Sequence, residues 1–319
     1  MIDTTSHILP KSADLRPTLN TIENQGPAGT CTGQGAIKVL EVEAGRLHDH
    51  YPNNPIRQFS VLHNYYWSGD FEVRVGQEGR SPEDAFVALV IKGACPDELW
   101  PYDLTKIDIQ PPAACDEAAK AFKIKSYTSL TAGRSAADWA LAAEQTRINM
   151  KHAICQGRPV GVSIALTEDF RTQWAKQNNW RTFYWDAKPS ATNPIIGSHE
   201  MVAMGYDDTV GRFLLQNSWD AQCDGGFCSL PYSLCADVYI GLQTAFCSVY
   251  DSIGHIPVED YKPKQYDEAR QTEIRAFMLA KFKEIEDARI MFKVDADEID
   301  NAMKPRWAPG TYAGTLQPV

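Results

Sequence analysis

Long apolar runs are missing from this 319-residue chain. The longest, Ala85 to Ile91, is seven residues, well short of the roughly 18 that a spanning helix needs, so the membrane is not an expected partner. An excess of positive charge is missing too: 41 acidic against 31 basic side chains leave a formal net charge of −10. A net negative surface repels phosphate backbones and no basic stripe offsets it, so no nucleic-acid partner is expected. The first ten residues, Met1 to Pro10, lack the positive stretch and apolar core of a secretory signal. The expectation is a cytoplasmic protein, or one exported without a cleavable N-terminal signal. Cysteine is scarce, with eight residues in the chain, too few for a disulfide scaffold, so free thiols are the default. Cys223, Cys228, Cys235 and Cys247 do cluster, but zinc favours paired short spacings and no histidine accompanies them. No metal and no organic cofactor are expected.

What the chain does have is a globular composition, 44% apolar and 23% charged, with helical and β-rich stretches separated along its length. Ile37, Leu40, Ala44 and Leu47 recur at helical steps behind Thr30, predicting a helix over Cys31–Leu47. A second helix is expected over Pro82–Lys92, with Ser81 as cap and Gly93 as stop, inside an otherwise loop-rich stretch that reaches Tyr127. A third runs through Ala136–Gln156. Beyond it, Pro159–Leu166, Met201–Tyr206 and Arg212–Gln216 read as strands. Helices first and strands later indicate an α+β fold with two lobes. Pro257 and Pro263 then bracket a linker. A charged helix over about Asp267–Phe292, a shorter one near Asp295–Met303 and an extended tail follow.

One cysteine differs from the others in its surroundings. Cys31 follows the turn-forming Gly26-Pro-Ala-Gly29 and opens the first expected helix, where unpaired N–H groups and the helix dipole favour a thiolate. His199 precedes the strand Met201–Tyr206, and Asn217-Ser-Trp219 closes the strand Arg212–Gln216. A turn at Asp207-Asp208 joins the two and sets His199 beside Asn217. Cys, His, Asn is the order of a thiol nucleophile, an imidazole base and an amide that orients the imidazole. Taken singly, Cys31 reads as a buried thiol, His199 as a core histidine and Gln25 as plain turn chemistry.

Asn24-Gln-Gly-Pro-Ala-Gly-Thr-Cys31, Gly197-Ser-His-Glu-Met-Val-Ala-Met-Gly-Tyr-Asp207 and Asn217-Ser-Trp219 together resemble the papain-like cysteine peptidases. Gly79–Phe86, Gly93–Tyr102, Gly157–Val162 and Phe227–Tyr232 resemble bacterial members of that family, in the same order. The resemblance spans residues 14 to 254. It implies a helical lobe over about 14–128 and an antiparallel β-barrel-like lobe over about 129–256. These form a catalytic domain, 1–256, followed by the helical extension 257–319. It implies Cys31 as nucleophile, His199 as general base and then acid, Asn217 holding the imidazole, and Trp219 shielding that bond. Gln25 is implied as the side-chain donor to the oxyanion, beside the Cys31 N–H, and Gly79, Arg80 and Ser198 as neighbours of the substrate.

The sequence departs from the family pattern in places. Thr32 stands where a tryptophan usually follows the nucleophile, and Ala28 replaces a cysteine. Asp220 replaces a glycine, Cys223 a second tryptophan, and Arg80 a glycine beside the substrate. The expected activity is peptide-bond hydrolysis on a peptide or protein substrate. Transamidation or isopeptide cleavage by the same machinery, and a papain-like binding protein with an idle site, are the alternatives. The extension 257–319 either packs on the body or presents a docking element to a protein partner.

Overall fold

The computed structural model describes residues 9–16, 21–50, 58–68, 79–124, 126–130, 139–176, 179–180, 190–232 and 245–249. The extension 257–319 and its two expected helices lie outside the described residues. The elements in chain order are β1 (Ser12–Asp14), α1 (Cys31–His50), α2 (Val61–Trp67), α3 (Pro82–Ile91) and α4 (Ala113–Ala119). They continue with β2 (Ser126–Ser129), α5 (Trp139–Cys155), β3 (Val160–Thr167), α6 (Glu168–Gln173), β4 (Ile195–Asp207), β5 (Arg212–Gln216), β6 (Phe227–Pro231) and β7 (Ala245–Val249). Among the described residues, no helix is long and apolar enough to cross a membrane.

The strands form one antiparallel sheet in the order β2-β7-β3-β4-β5-β6, with β1 added against β4. The longest strand, β4, organises everything else because both of its faces are covered. Met201 and Ala203 pack with Val160, Val162 and Ile164 of β3 and Ile154 of α5. Val202 and Met204, pointing the other way, pack with Ile37 and Leu40 of α1 and Leu89 of α3. A strand buried on both faces loses its polar–apolar alternation. The sequence reading finds this buried part, Met201–Tyr206, and misses the front from Ile195, which is partly exposed and broken by Gly197, Ser198, His199 and Glu200.

Helix α1 is buried along Thr32–Glu43, polar residues included. Lys38 is held by Glu41 at 2.6 Å and Glu23 at 3.0 Å, and Glu41 also accepts the Phe59 N–H. Each buried charge thus has a partner, without which its desolvation would oppose folding. Close approach of α1 to β4 depends on Gly35, where an added Cβ would lie 2.7 Å from Glu200 Cγ. Helix α3 starts with Pro82 behind Ser81 as expected, although the Ser81 side chain makes no capping bond. Two short helices, α2 and α4, fall in the stretch expected to be loop; each is seven residues, too short to establish a 3.6-residue period.

Candidate active site

Cys31 is the first residue of α1 and is half-buried. The helix starts here because Gly26, at φ +58°, turns the chain and its N–H is taken by Asn24 Oδ1 at 2.9 Å. The Gln34 N–H then reaches the Thr30 carbonyl at 3.0 Å as the helical bonding begins. Thr30 stands at the expected cap position, but its hydroxyl is engaged by the Tyr102 hydroxyl at 2.7 Å. Tyr102 in turn donates to the Gln25 carbonyl at 2.8 Å, so one phenol ties both ends of the turn.

His199 lies on β4 opposite Ile164 of β3 and is only 4% exposed. Asn217 follows the end of β5. The hairpin between β4 and β5 brings the two together, with His199 Nε2 and Asn217 Oδ1 at 2.6 Å. The backbone N–H of Ser218 also points at Asn217 Oδ1, at 2.8 Å. Because an N–H can only donate, the Asn217 atom facing it is the carbonyl oxygen. His199 Nε2 must then be the protonated nitrogen, which leaves Nδ1 with the lone pair. Burial is the larger influence on this imidazole and pushes it down to about 4, against the smaller upward pull of Asn217. At neutral pH the ring is therefore uncharged, the form a general base requires.

Trp219 stacks on His199 with ring centroids 4.6 Å apart and planes at 29°. Phe170 of α6 and Trp174 stand behind it, each with centroids at 5.7 Å. This aromatic wall keeps water from the His199–Asn217 bond, and a hydrogen bond is electrostatically stronger in such a low-dielectric setting.

The turn before Cys31 is joined directly to the segment after β5. Gln25 N–H donates to Ser218 O at 2.8 Å, Asp220 N–H donates to Glu23 O at 3.0 Å, and Asn24 bridges Trp219. Ser218 Oγ donates to Gln25 Oε1 at 2.6 Å, which turns Gln25 Nε2 toward Ala28 O at 2.8 Å. So Gln25, Asn217 and Trp219 share one short stretch of paired backbone, and Ser218 is the residue that links them. Reading the sequence gives Ser218 and Tyr102 no role, although both sit inside motifs it quotes. We expect Ser218→Ala to lower kcat about three- to tenfold with little change in KM, the effect of losing one orienting hydrogen bond. Steady-state kinetics on a peptide substrate check this.

Of the residues expected near substrate, Gly79 and Arg80 gather on Tyr65. Gly79 N–H is bound by Tyr65 Oη at 3.1 Å. The Arg80 guanidinium lies over the Tyr65 ring, 4.2 Å from its centroid, and donates to the carbonyls of Tyr65 and Gly79. Tyr65 on α2 packs against Gly33, two residues after Cys31. Ser198 is exposed beside His199. Of the departures, Asp220 adopts φ +67°, so it keeps the left-handed backbone that a glycine supplies, and its carboxylate accepts the Ala221 N–H at 2.6 Å. Cys223 also has positive φ, at 62°, with its thiol donating to the Phe227 carbonyl at 2.9 Å. Among the described residues no group of three or more His, Cys, Asp or Glu is disposed to hold a metal ion.

No protein-family model matches the chain. An uncharacterised peptidase C1-like protein of Acanthamoeba polyphaga mimivirus is 23% identical over 231 residues, covering 72% of this chain and 70% of the relative. Among solved structures, xylellain, a cysteine protease from Xylella fastidiosa, superposes with a TM-score of 0.59 at 22% identity. The match covers 76% of this chain and 87% of xylellain. The digestive procathepsin L 3 of Tenebrio molitor larval midgut matches with a TM-score of 0.56 at 16% identity, over 78% of this chain and 73% of its own. The chain has the papain-like α+β fold.

Proposed function

We propose that this papain-like chain is a cysteine peptidase, hydrolysing peptide bonds through an acyl-enzyme on Cys31. The observation that carries the reading is the oriented His199. Its Nε2–H is committed to Asn217, its Nδ1 is left as acceptor, and its ring is sealed by Trp219. The C1-like relative supports the same reading.

In this mechanism His199 Nδ1 takes the Cys31 thiol proton, and the sulfur attacks the substrate carbonyl carbon. The carbonyl oxygen gains the negative charge. The Cys31 N–H and the second N–H of Gln25 Nε2 are the donors assigned to it, the Gln25 amide being held in place by Ser218. Collapse of the tetrahedral intermediate breaks the C–N bond while His199 returns its proton to the leaving amine. A water then deprotonates to His199 and attacks the thioester, restoring the thiol and releasing the acid. Asn217 keeps the ring aligned through both halves.

A peptide library incubated with and without an added amine tests the reaction class. Hydrolysis products in both conditions are expected. Acyl transfer to the amine without hydrolysis would replace the hydrolase reading by transamidation, and no turnover by folded chain would favour an idle binding site.

A further inference from the structure

Outside the site, two thiols share one buried cluster. Cys95 and Cys115 are both buried and free, and they share a small apolar cluster with Leu62, Trp100 and Ala119. Independent backbone anchors bring them together. The Cys95 carbonyl accepts the Ser60 N–H at 2.8 Å and Pro96 bridges Phe59, whereas Cys115 sits in the first turn of α4 with its N–H on Pro112 O. One short turn, Pro96–Leu99, lies against both thiols. The Cys95 thiol donates to Pro96 O at 3.3 Å, and the Cys115 thiol faces Leu99 O at 3.8 Å.

We propose that Cys95 and Cys115 are a disulfide-forming pair whose bond staples residues 96–114 to the body of the protein. A bond of about 2.05 Å requires two backbones held close to each other, and here each cysteine is fixed by its own backbone hydrogen bond beside the shared cluster. The segment between them has little regular structure, and the body holds it through the Asp97 N–H on Gln58 O, the Ser60 hydroxyl on Trp100 O and the buried Trp100 ring. It is built of two single-turn 3-10 helices, Asp97–Leu99 and Leu104–Lys106, and it exposes Leu99 and Ile109. Between those anchors its irregular backbone is where local opening would start. Yet the segment carries Tyr102, whose hydroxyl supports both Gln25 and Thr30. A bond from Cys95 to Cys115 holds that support closed by limiting how far the segment can open.

The step is a two-electron oxidation. Each cysteine loses a proton and the pair loses two electrons, which a diazene such as diamide accepts as its N=N bond becomes HN–NH. Burial and the neighbouring sulfur push the Cys95 thiol up, which slows its reaction in the folded chain. A small oxidant and long incubation are therefore appropriate.

The test is peptide mapping of the full-length chain, reduced and then treated with diamide, with digestion under non-reducing conditions. Trypsin places Cys95 on Gly93–Lys106 and Cys115 on Ile107–Lys120, each with one cysteine, while Cys31 falls on another peptide. The result expected is these two peptides joined and two hydrogens lighter. In addition, the oxidised chain should have a Tm about 5–10 °C above the reduced one. Both effects should be absent from Cys95→Ala; should that variant fail to fold, the wild-type map still decides. Unlinked Cys95 and Cys115 peptides after oxidation, or either one joined to a different cysteine, would overturn the pairing. A linked chain with unchanged Tm would overturn the staple. Neither readout needs peptidase activity, so the proposal stands or falls apart from the function proposed above.

Discussion

Cys31→Ala is expected to lower kcat/KM on a peptide substrate by about 10⁴-fold or more, as removal of a covalent nucleophile does elsewhere. The substitution removes the sulfur and little else. Cys31 is only half-buried, and its backbone remains tied into α1. Circular dichroism and Tm should therefore stay close to wild type while turnover vanishes. Intact mass after incubation with an epoxysuccinyl peptide gives the complementary result: one adduct on wild type, none on the variant. A single adduct surviving in Cys31→Ala would assign the reactive thiol elsewhere and sink the proposed mechanism. Two of the other cysteines offer poor alternatives on physical grounds. Cys228 is fully buried and Cys223 is pushed up to about 11 by burial, so neither supplies a thiolate at neutral pH.

The second large effect is at His199. His199→Ala is expected to cost about 10³–10⁴ in kcat/KM, because the thiol proton then has no acceptor. It also has a signature in stability that a bystander histidine would lack. An unfolded histidine titrates near 6.5, whereas burial holds His199 at about 4. Between those values the unfolded chain binds a proton that the folded chain refuses. Stability is thus fully present above about pH 6.5 and is lost as the pH falls toward and through 4, by on the order of 3 kcal/mol. Urea titrations at pH 7, 5.5 and 4 on wild type and variant isolate this contribution, since other groups act on both. The wild type should lose more stability than His199→Ala across that window. Equal losses would show that His199 is not held neutral by the fold.

How much of this was legible in the residues depends on the range of the interaction concerned. Helices α1 and α3 were legible from the periodicity of Ile37, Leu40 and Ala44 and from Pro82 behind Ser81, all contacts within a few residues. Strand β5 matched its expected bounds, Arg212–Gln216, because it is short and bounded by turn residues. The His199–Asn217 pair was legible through the hairpin at Asp207-Asp208, which makes an eighteen-residue separation a cross-strand neighbour. Helices α2 and α4 and strands β1, β2 and β7 were not, being short, nor was the front of β4, where Gly197, Ser198, His199 and Glu200 interrupt the apolar run.

The sequence by itself determined the α+β class and the start of α1 at Cys31, and it supplied the residues proposed for the catalytic set. The first two follow from local conformational preference, and the last is what the resemblance carried by three separate motifs implies. Only the tertiary structure decided which nitrogen of His199 faces Asn217, that Ser218 orients Gln25 across 193 positions, and that Tyr102 reaches Gln25 across 77. It alone brought Cys95 to Cys115. A hydrogen bond between distant positions forms only after both segments have been placed by the packing of β4 between its two apolar layers. No local periodicity, cap or turn encodes that placement.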